Sequence, residues 1–205
     1  AISFFWGTTW FVSKLAVQFI PALQLTGLRQ ILAGSLLIAY FYSRYQKLPS
    51  PKALLFHLLI GFLLITCSNG LTTYAIHFIP SFLGALISCL MPFVMVTANY
   101  FFFHEKIRAK VTWSLVLGFV GVAILLSAFI QEMEDSNFLV GILLTLLSVV
   151  TWTSGTLIST RSNYNTNPYE GIGWQMLFGG CILLALSFLT GQRVPITEIP
   201  WQAWG

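Results

Sequence analysis

The sequence predicts an all-α, polytopic membrane protein that crosses a bilayer about seven times. Three observations carry that expectation. Charged side chains make up 8% of the 205 residues and hydrophobic ones 57%, whereas a soluble domain carries about 25% charge. A water-facing surface cannot be built from so few charges, so lipid must cover most of it. Apolar runs of roughly 20 residues, the length that spans a hydrocarbon core, recur along the whole chain. The charges themselves fall almost entirely in the short links between those runs.

The runs are residues 2–20, 22–43, 53–78, 80–103, 111–130, 138–160 and 168–190, and residues 199–205 read as the approach to an eighth. The first is aromatic, with Trp6, Thr9, Trp10 and one buried base, Lys14. Pro21 opens the second, at a helix start where a missing N–H costs little, and this run holds the other intramembrane base, Arg29. The third carries Asn69, Tyr74 and His77. Pro80 opens the fourth, and Pro92 lies inside it, where a ring without an N–H kinks a helix. In the fifth, Ser114, Gly118 and Gly121 give one smooth side suited to close helix packing. The sixth contains Trp152 and Thr156, and the seventh starts at Pro168 with Glu170 in its first turn, where a carboxylate suits the helix dipole. The links are short, so successive helices run antiparallel.

Loop charge predicts the orientation. Alternate loops hold Arg44, Lys47 and Lys52, then Lys106, Arg108 and Lys110, then Arg161. The other loops hold Glu132, Glu134, Asp135 and Glu198, with Arg193 as their base. The positive-inside rule makes the first set cytoplasmic and places the N-terminus inside as well, in a multi-pass protein of an inner or plasma membrane.

The chain also repeats itself weakly. Trp6, Thr9, Lys14, Pro21 and Ala33-Gly34 are matched by Trp152, Thr156, Arg161, Pro168 and Gly179-Gly180, at an offset of about 146 residues. Five helices separate the two starts, and an odd number turns the second copy upside down. Inverted repeats of this kind build many secondary transporters, with the solute site between the halves. Two five-helix copies at this period need roughly 290 residues. The 205 present are therefore expected to hold a first repeat, residues 1–130, and the opening of a second, residues 138–205.

Lys14 and Arg29 lie at matching depths, roughly 9–12 Å below the outer boundary. They either face one water-filled space or snorkel to the headgroups. The spans contain no Asp or Glu to pair with them; all six acids lie at or near helix ends. Asn69 either glues helices or lines a cavity. Tyr74 and His77, three apart, share a face. Trp6, Thr9 and Trp10 form an aromatic face with a hydroxyl, which fits an amphipathic solute or plain core packing. With Trp152 and the flexible point at Pro92, these residues make a candidate cavity between helices 1, 3, 4, 6 and 7.

Other classes are excluded by what the motifs lack. His104-Glu105 has no second zincin histidine, and there is no Walker A loop or serine nucleophile elbow. Cys67, Cys89 and Cys181 are scattered through apolar runs with no CxxC, which argues for packing rather than a metal or redox site. No cofactor is expected, no continuous basic face suits nucleic acid, and no feature sets the oligomeric state. The rival from another class is a seven-helix receptor or sensor.

Phe5-Trp6-Gly7-Thr8-Thr9 with Lys14, then Pro21, Arg29 and Ala33, resembles the first two helices of EamA-domain proteins of the drug/metabolite transporter superfamily. Asn69, Tyr74-Ala75, Pro80, Ala85-Leu86 and Pro92 are similar to that family's third and fourth helices. His104-Glu105-Lys106 with Gly118 and Gly121 resembles its helix 4–5 junction, and Trp152 with Gly155-Thr156 the start of its second repeat. The resemblance implies ten helices in two inverted repeats and export or exchange of small metabolites by alternating access, and the expected solute is an amino-acid-like or other small amphipathic metabolite. It also implies that Trp6, Lys14, Arg29 and Asn69 occupy recurrent family positions, and that helices 8–10 lie beyond the present sequence.

Overall fold

The computed structural model describes residues 2–45, 48–129, 135–162 and 168–195, with side chains from Thr8 onward except that of Pro168. All regular structure among them is helical: α1 (Ile2–Ala16), α2 (Ala22–Tyr45), α3 (Pro51–Ala75), α4 (Ser81–Phe103), α5 (Ala109–Ser127), α6 (Ser136–Arg161) and α7 (Pro168–Leu189). The helices α2 to α7 are long and apolar enough to cross a membrane. The α1 helix stops at Ala16, four residues short of the expected end. There the Gln18 and Phe19 N–H groups switch to tighter bonds with the Leu15 and Ala16 carbonyls, 3.2 and 3.0 Å, ahead of Pro21, which disfavours helical backbone before it.

Local chemistry explains the other boundaries. Ser50 accepts the Ala53 N–H at 3.3 Å and Pro51 follows at the first helical position, so α3 starts with two helix-opening signals. Asp135 accepts the Asn137 N–H at 2.9 Å to open α6. In α4, Pro92 offers no N–H to Ser88. The helix breaks at Cys89–Leu90, whose N–H groups turn back to Leu86 and Ile87 at 3.0 and 2.9 Å, then resumes at Met91. His104 ends α4 in the left-handed conformation, φ 53°. The sequence pattern did not announce the π-helical stretch Phe62–Asn69 inside α3.

The α7 helix is the packing centre. Its largest contact is with α2, followed by α3. Glycines set both crossings. A Cβ on Gly27 would lie 2.9 Å from the Leu184 nitrogen and 3.0 Å from the Gly180 carbonyl, and one on Gly34 would lie 2.7 Å from the Leu177 nitrogen and 2.8 Å from the Gly173 carbonyl. The two backbones therefore touch. The pairing is reciprocal: Gly27 meets Gly180 and Gly34 meets Gly173, while the 146-residue offset carries Gly27 onto Gly173 and Gly34 onto Gly180. Against α3, a Cβ on Gly179 would come 2.4 Å from that of Ile65, one on Gly61 would strike the Gln175 carbonyl, and Thr66 donates to the Gly179 carbonyl at 3.1 Å.

The ends of the bundle are tied by polar contacts. The Gln24 side chain bonds both the N–H and the carbonyl of Val194, at 2.8 and 2.7 Å, and so holds the segment after α7 over the start of α2. At the other end Arg161 reaches from α6 to the Glu105 carboxylate, to Asn99 Oδ1 at 3.0 Å and over the Phe103 ring at 4.1 Å. The α5 helix stands outermost. Its smooth side does not make the close packing expected of it: Gly121 has nothing within 4 Å of a built Cβ, and Gly118 meets only the Phe93 ring, at 3.5 Å. The Phe93–Phe119 contact at 5.8 Å holds α5 to α4 instead.

Gly34→Ala is expected to force α2 and α7 apart and destabilise the protein by about 1–3 kcal/mol. Gly121→Ala is expected to be neutral or slightly stabilising, because it gains helix propensity and meets nothing. Unfolding in detergent compares the two, and equal midpoints would refute the close crossing. The Arg161–Glu105 pair is half exposed, so Glu105→Gln is expected to cost under about 1 kcal/mol in the same measurement.

Candidate functional site

A cavity of about 100 Å³ opens among α1, α2, α3, α4 and α6. Most of its lining residues are of polar type although it sits between membrane-spanning helices. Thr9, Trp10 and Ser13 come from α1, Arg29 from α2, Ser68, Asn69, Thr72 and Thr73 from α3, Ser88 and Met91 from α4, and Ser148 and Trp152 from α6. Arg29 supplies the charge. Its Nη1 donates to Ser13 Oγ at 3.0 Å, and no acid is among the lining residues. A guanidinium has five N–H donors in a fixed fork, so a bond to one serine leaves most of that capacity for a bound acceptor.

The hydroxyls are organised. Thr72 Oγ1 donates to Ser148 Oγ at 2.8 Å, and Ser148 in turn donates to the Thr145 carbonyl at 2.7 Å. This chain joins α3 to α6 across one wall of the cavity. Asn69 Nδ2 donates to the Leu64 carbonyl at 2.9 Å, which uses an acceptor inside the π-helical stretch. Its amide therefore stabilises the irregular backbone at the cavity's edge. π-helical insertions are frequent at functional sites. Gly84 makes room for Trp10: a Cβ there would lie 2.6 Å from the indole.

Of the nine residues singled out from sequence, the structure brings Thr9, Trp10, Arg29, Asn69 and Trp152 into this cavity. Lys14 does not line it. Its ammonium donates to the Ile76 carbonyl and, at 3.3 Å, to the Ile79 carbonyl. It thereby caps buried carbonyls just past the C-terminal end of α3, where a cation suits the dipole. Lys14 and Arg29, alike in depth, thus serve different groups, because their positions on α1 and α2 point them differently. Tyr74 packs edge-on against His77 and Phe78 at 5.9 and 5.5 Å and against the cluster of Ala16, Val17, Ile20 and Leu25. Pro92 stands beside Met91 at the break in α4. The Trp6 side chain lies outside the described residues. The cavity takes α2 through Arg29 in place of the expected helix 7, whose inner faces are used up against α2 and α3.

Ser13, Ser68, Thr72 and Ser148 were missed. The signal was available: Thr9–Ser13, Ser68–Thr72 and Ser148–Trp152 are each four apart, so each pair shares a helix face. For Ser88 and Met91 no pattern distinguishes them from lipid-facing neighbours. Among the described residues no group of His, Cys, Asp and Glu could hold a metal ion.

Comparison with known proteins bears on the same architecture. A solved crystal structure superposes on 96% of this chain and 72% of its own with a TM-score of 0.67 at 19% identity, which shows the shared fold. The uncharacterized inner membrane transporter YedA of Escherichia coli is 31% identical over 98% of this chain, and the uncharacterized transporter YvbV of Bacillus subtilis 28% identical over 97%. This chain spans 63% of the length of each. The EamA-like transporter family model matches residues 1–127 and 139–205. A multi-pass helical membrane protein with that match over nearly all of its residues belongs to the EamA-like transporter family.

Proposed function

We propose that the full-length protein is a secondary transporter that exports or exchanges small carboxylate-bearing metabolites, amino-acid-like in size, with the cavity around Arg29 as the solute site. One observation carries this: a guanidinium inside the membrane-spanning bundle faces a hydroxyl-lined cavity whose lining holds no acid. A charge in a span is costly unless paired or hydrated, and such residues mark solute paths. A carboxylate supplies the missing partner and matches the fork in two-point geometry. Trp10 and Trp152 offer apolar surface to the rest of the solute. The family match leaves the seven-helix receptor reading without support.

Two inverted five-helix repeats, the first over residues 1–130 and the second opening at 138–205, would let the halves rock about this cavity by alternating access. The reciprocal glycine contacts of α2 and α7 support that arrangement, because a two-fold axis pairs each position with its partner's equivalent. Loop charges support a cytoplasmic N-terminus, and the printed name of the Escherichia coli relative supports an inner membrane.

Arg29→Gln is expected to cut carboxylate flux in proteoliposomes about tenfold or more at normal expression, since a charge-assisted bond contributes about 1.5–3 kcal/mol. Arg29→Lys is expected to retain part of it. No flux of any carboxylate in a metabolite panel, or unchanged flux in Arg29→Gln, would sink the proposal. Lys14→Gln separates the two bases. It is expected to lower stability in detergent by about 0.3–1 kcal/mol, the worth of a cation at a helix end, and to leave the KM of transport unchanged. A KM shift matching that of Arg29→Gln would return Lys14 to the solute site.

A further inference from the structure

A second cavity, of about 270 Å³, lies among α3, α6 and α7. It touches α3 between Phe56 and Leu64, whereas the first touches it between Ser68 and Ile76. The two are thus displaced along that helix by about 15–18 Å. The polar lining of the second includes His57, Gln175, Thr156, Ser159 and Thr160, with no Asp, Glu, Lys or Arg. His57 and Gln175 are 3% and 8% exposed, and their side chains meet, Gln175 Nε2 to His57 Nδ1, at 3.4 Å. The imidazole fits because α7 has Gly171 beneath it, where a Cβ would lie 2.7 Å from the ring.

The lining is not an arbitrary set. The 146-residue offset carries Trp10, Ser13 and Arg29 of the first cavity onto Thr156, Ser159 and Gln175 of the second. The same offset relates the glycines that pair α2 with α7. Helix crossings and cavity linings thus obey one relation.

We infer that the second cavity is the inverted counterpart of the first: a hydrated polar station for the same solute at the other end of α3, offering neutral hydrogen-bonding groups where the first offers a guanidinium. Its use by a solute rests on the transport reading; its existence as a hydrated station does not. A carboxylate held by Arg29 in the first station meets only neutral groups in the second. Its bonds there keep the ionised acceptor but lose the opposite charge and the two-point fork of the guanidinium. The path therefore binds an organic anion tightly at one end and weakly at the other.

The test uses the full-length protein in sealed membrane vesicles with Cys67, Cys89 and Cys181 replaced by serine. Single cysteines are placed at Ser148 in the first cavity and Ser159 in the second, with Thr156→Cys as a second reporter should Ser159→Cys fail to fold. Two membrane-impermeant thiol reagents, anionic methanethiosulfonate ethylsulfonate and cationic methanethiosulfonate ethyltrimethylammonium, are applied to one face at a time. Ser148→Cys is expected to react from one face and Ser159→Cys from the opposite face. After correction for intrinsic reactivity, the anionic reagent is expected to be at least about threefold faster than the cationic one at Ser148→Cys. That preference is expected to vanish with Arg29→Gln and to be missing at Ser159→Cys. Inert reporters at both Ser159 and Thr156, labelling from the same face as Ser148→Cys, or an equal anion preference in both cavities would overturn the inference. Failed labelling with intact carboxylate flux removes the second station alone; opposite-face labelling without flux keeps the station and removes the transport reading.

Discussion

The backbone-to-backbone crossing of α2 and α7 is the contact on which the remaining geometry hangs. Between helices in lipid there is no hydrophobic driving force, so association depends on close packing and on small residues that let backbones approach. Gly27 and Gly34 meet Gly180 and Gly173 with no room for a Cβ. That contact fixes the rotation of both helices about their axes. Arg29, two positions beyond Gly27, then points roughly 200° away from α7, toward Ser13 and the cavity. Gln175, two positions beyond Gly173, turns by the same geometry toward α3 and His57. A looser crossing would leave the azimuth of each polar side chain unspecified.

The polar interior is held by neutral groups rather than by ion pairs. Among the described residues the recorded salt bridge, Arg161–Glu105, lies at the end of the bundle and is half exposed. Inside, serine and threonine hydroxyls bond carbonyls or hydroxyls of their own or neighbouring helices, as Thr66 does with the Gly179 carbonyl and Thr72 with the Ser148 hydroxyl. Such bonds contribute modestly in membranes, about 0.6 kcal/mol on average, and they avoid stranding a polar atom in hydrocarbon. They also leave Arg29, the charge lining the first cavity, with no acid among the other residues of that lining. A permanent carboxylate beside Arg29 would have lowered the cost of burying it and at the same time competed with any anionic solute.

Most of the fold was legible in the sequence, because apolar run length, helix-opening prolines and loop charge are local properties. The expected span 22–43 became Ala22–Tyr45, and 138–160 became Ser136–Arg161. Pro92 broke α4 beside it because a missing N–H acts wherever it occurs. The site was less legible. Depth can be counted from a boundary, and on depth Lys14 and Arg29 are alike. Azimuth depends on which helices cross and where, so the carbonyls that take Lys14 could not be read from the sequence. The π-helical stretch in α3 was hidden for a related reason. It lies where Leu64 and Ile65 press against Gly155 and Gly179 of two other helices, a tertiary circumstance with no signature in composition.

Under the 146-residue offset, the glycines at the helix crossing stay alike, while two of the three pairs that line both cavities differ. Gly27 and Gly173, and Gly34 and Gly180, are identical pairs, as are the cavity-lining Ser13 and Ser159, whereas Arg29 faces Gln175 and Trp10 faces Thr156. The glycines sit at contacts where each is pressed against the equivalent of the other: Gly27 against Gly180 and Gly34 against Gly173. One steric requirement therefore acts on both members, and a side chain added to either would separate the same two backbones. The divergent pairs line spaces at opposite ends of α3, where nothing ties the chemistry of one to that of the other. A helix bundle built on this plan keeps a symmetric crossing and is free to make its two cavities chemically unequal. Here the inequality is a full positive charge at Arg29 against an amide at Gln175.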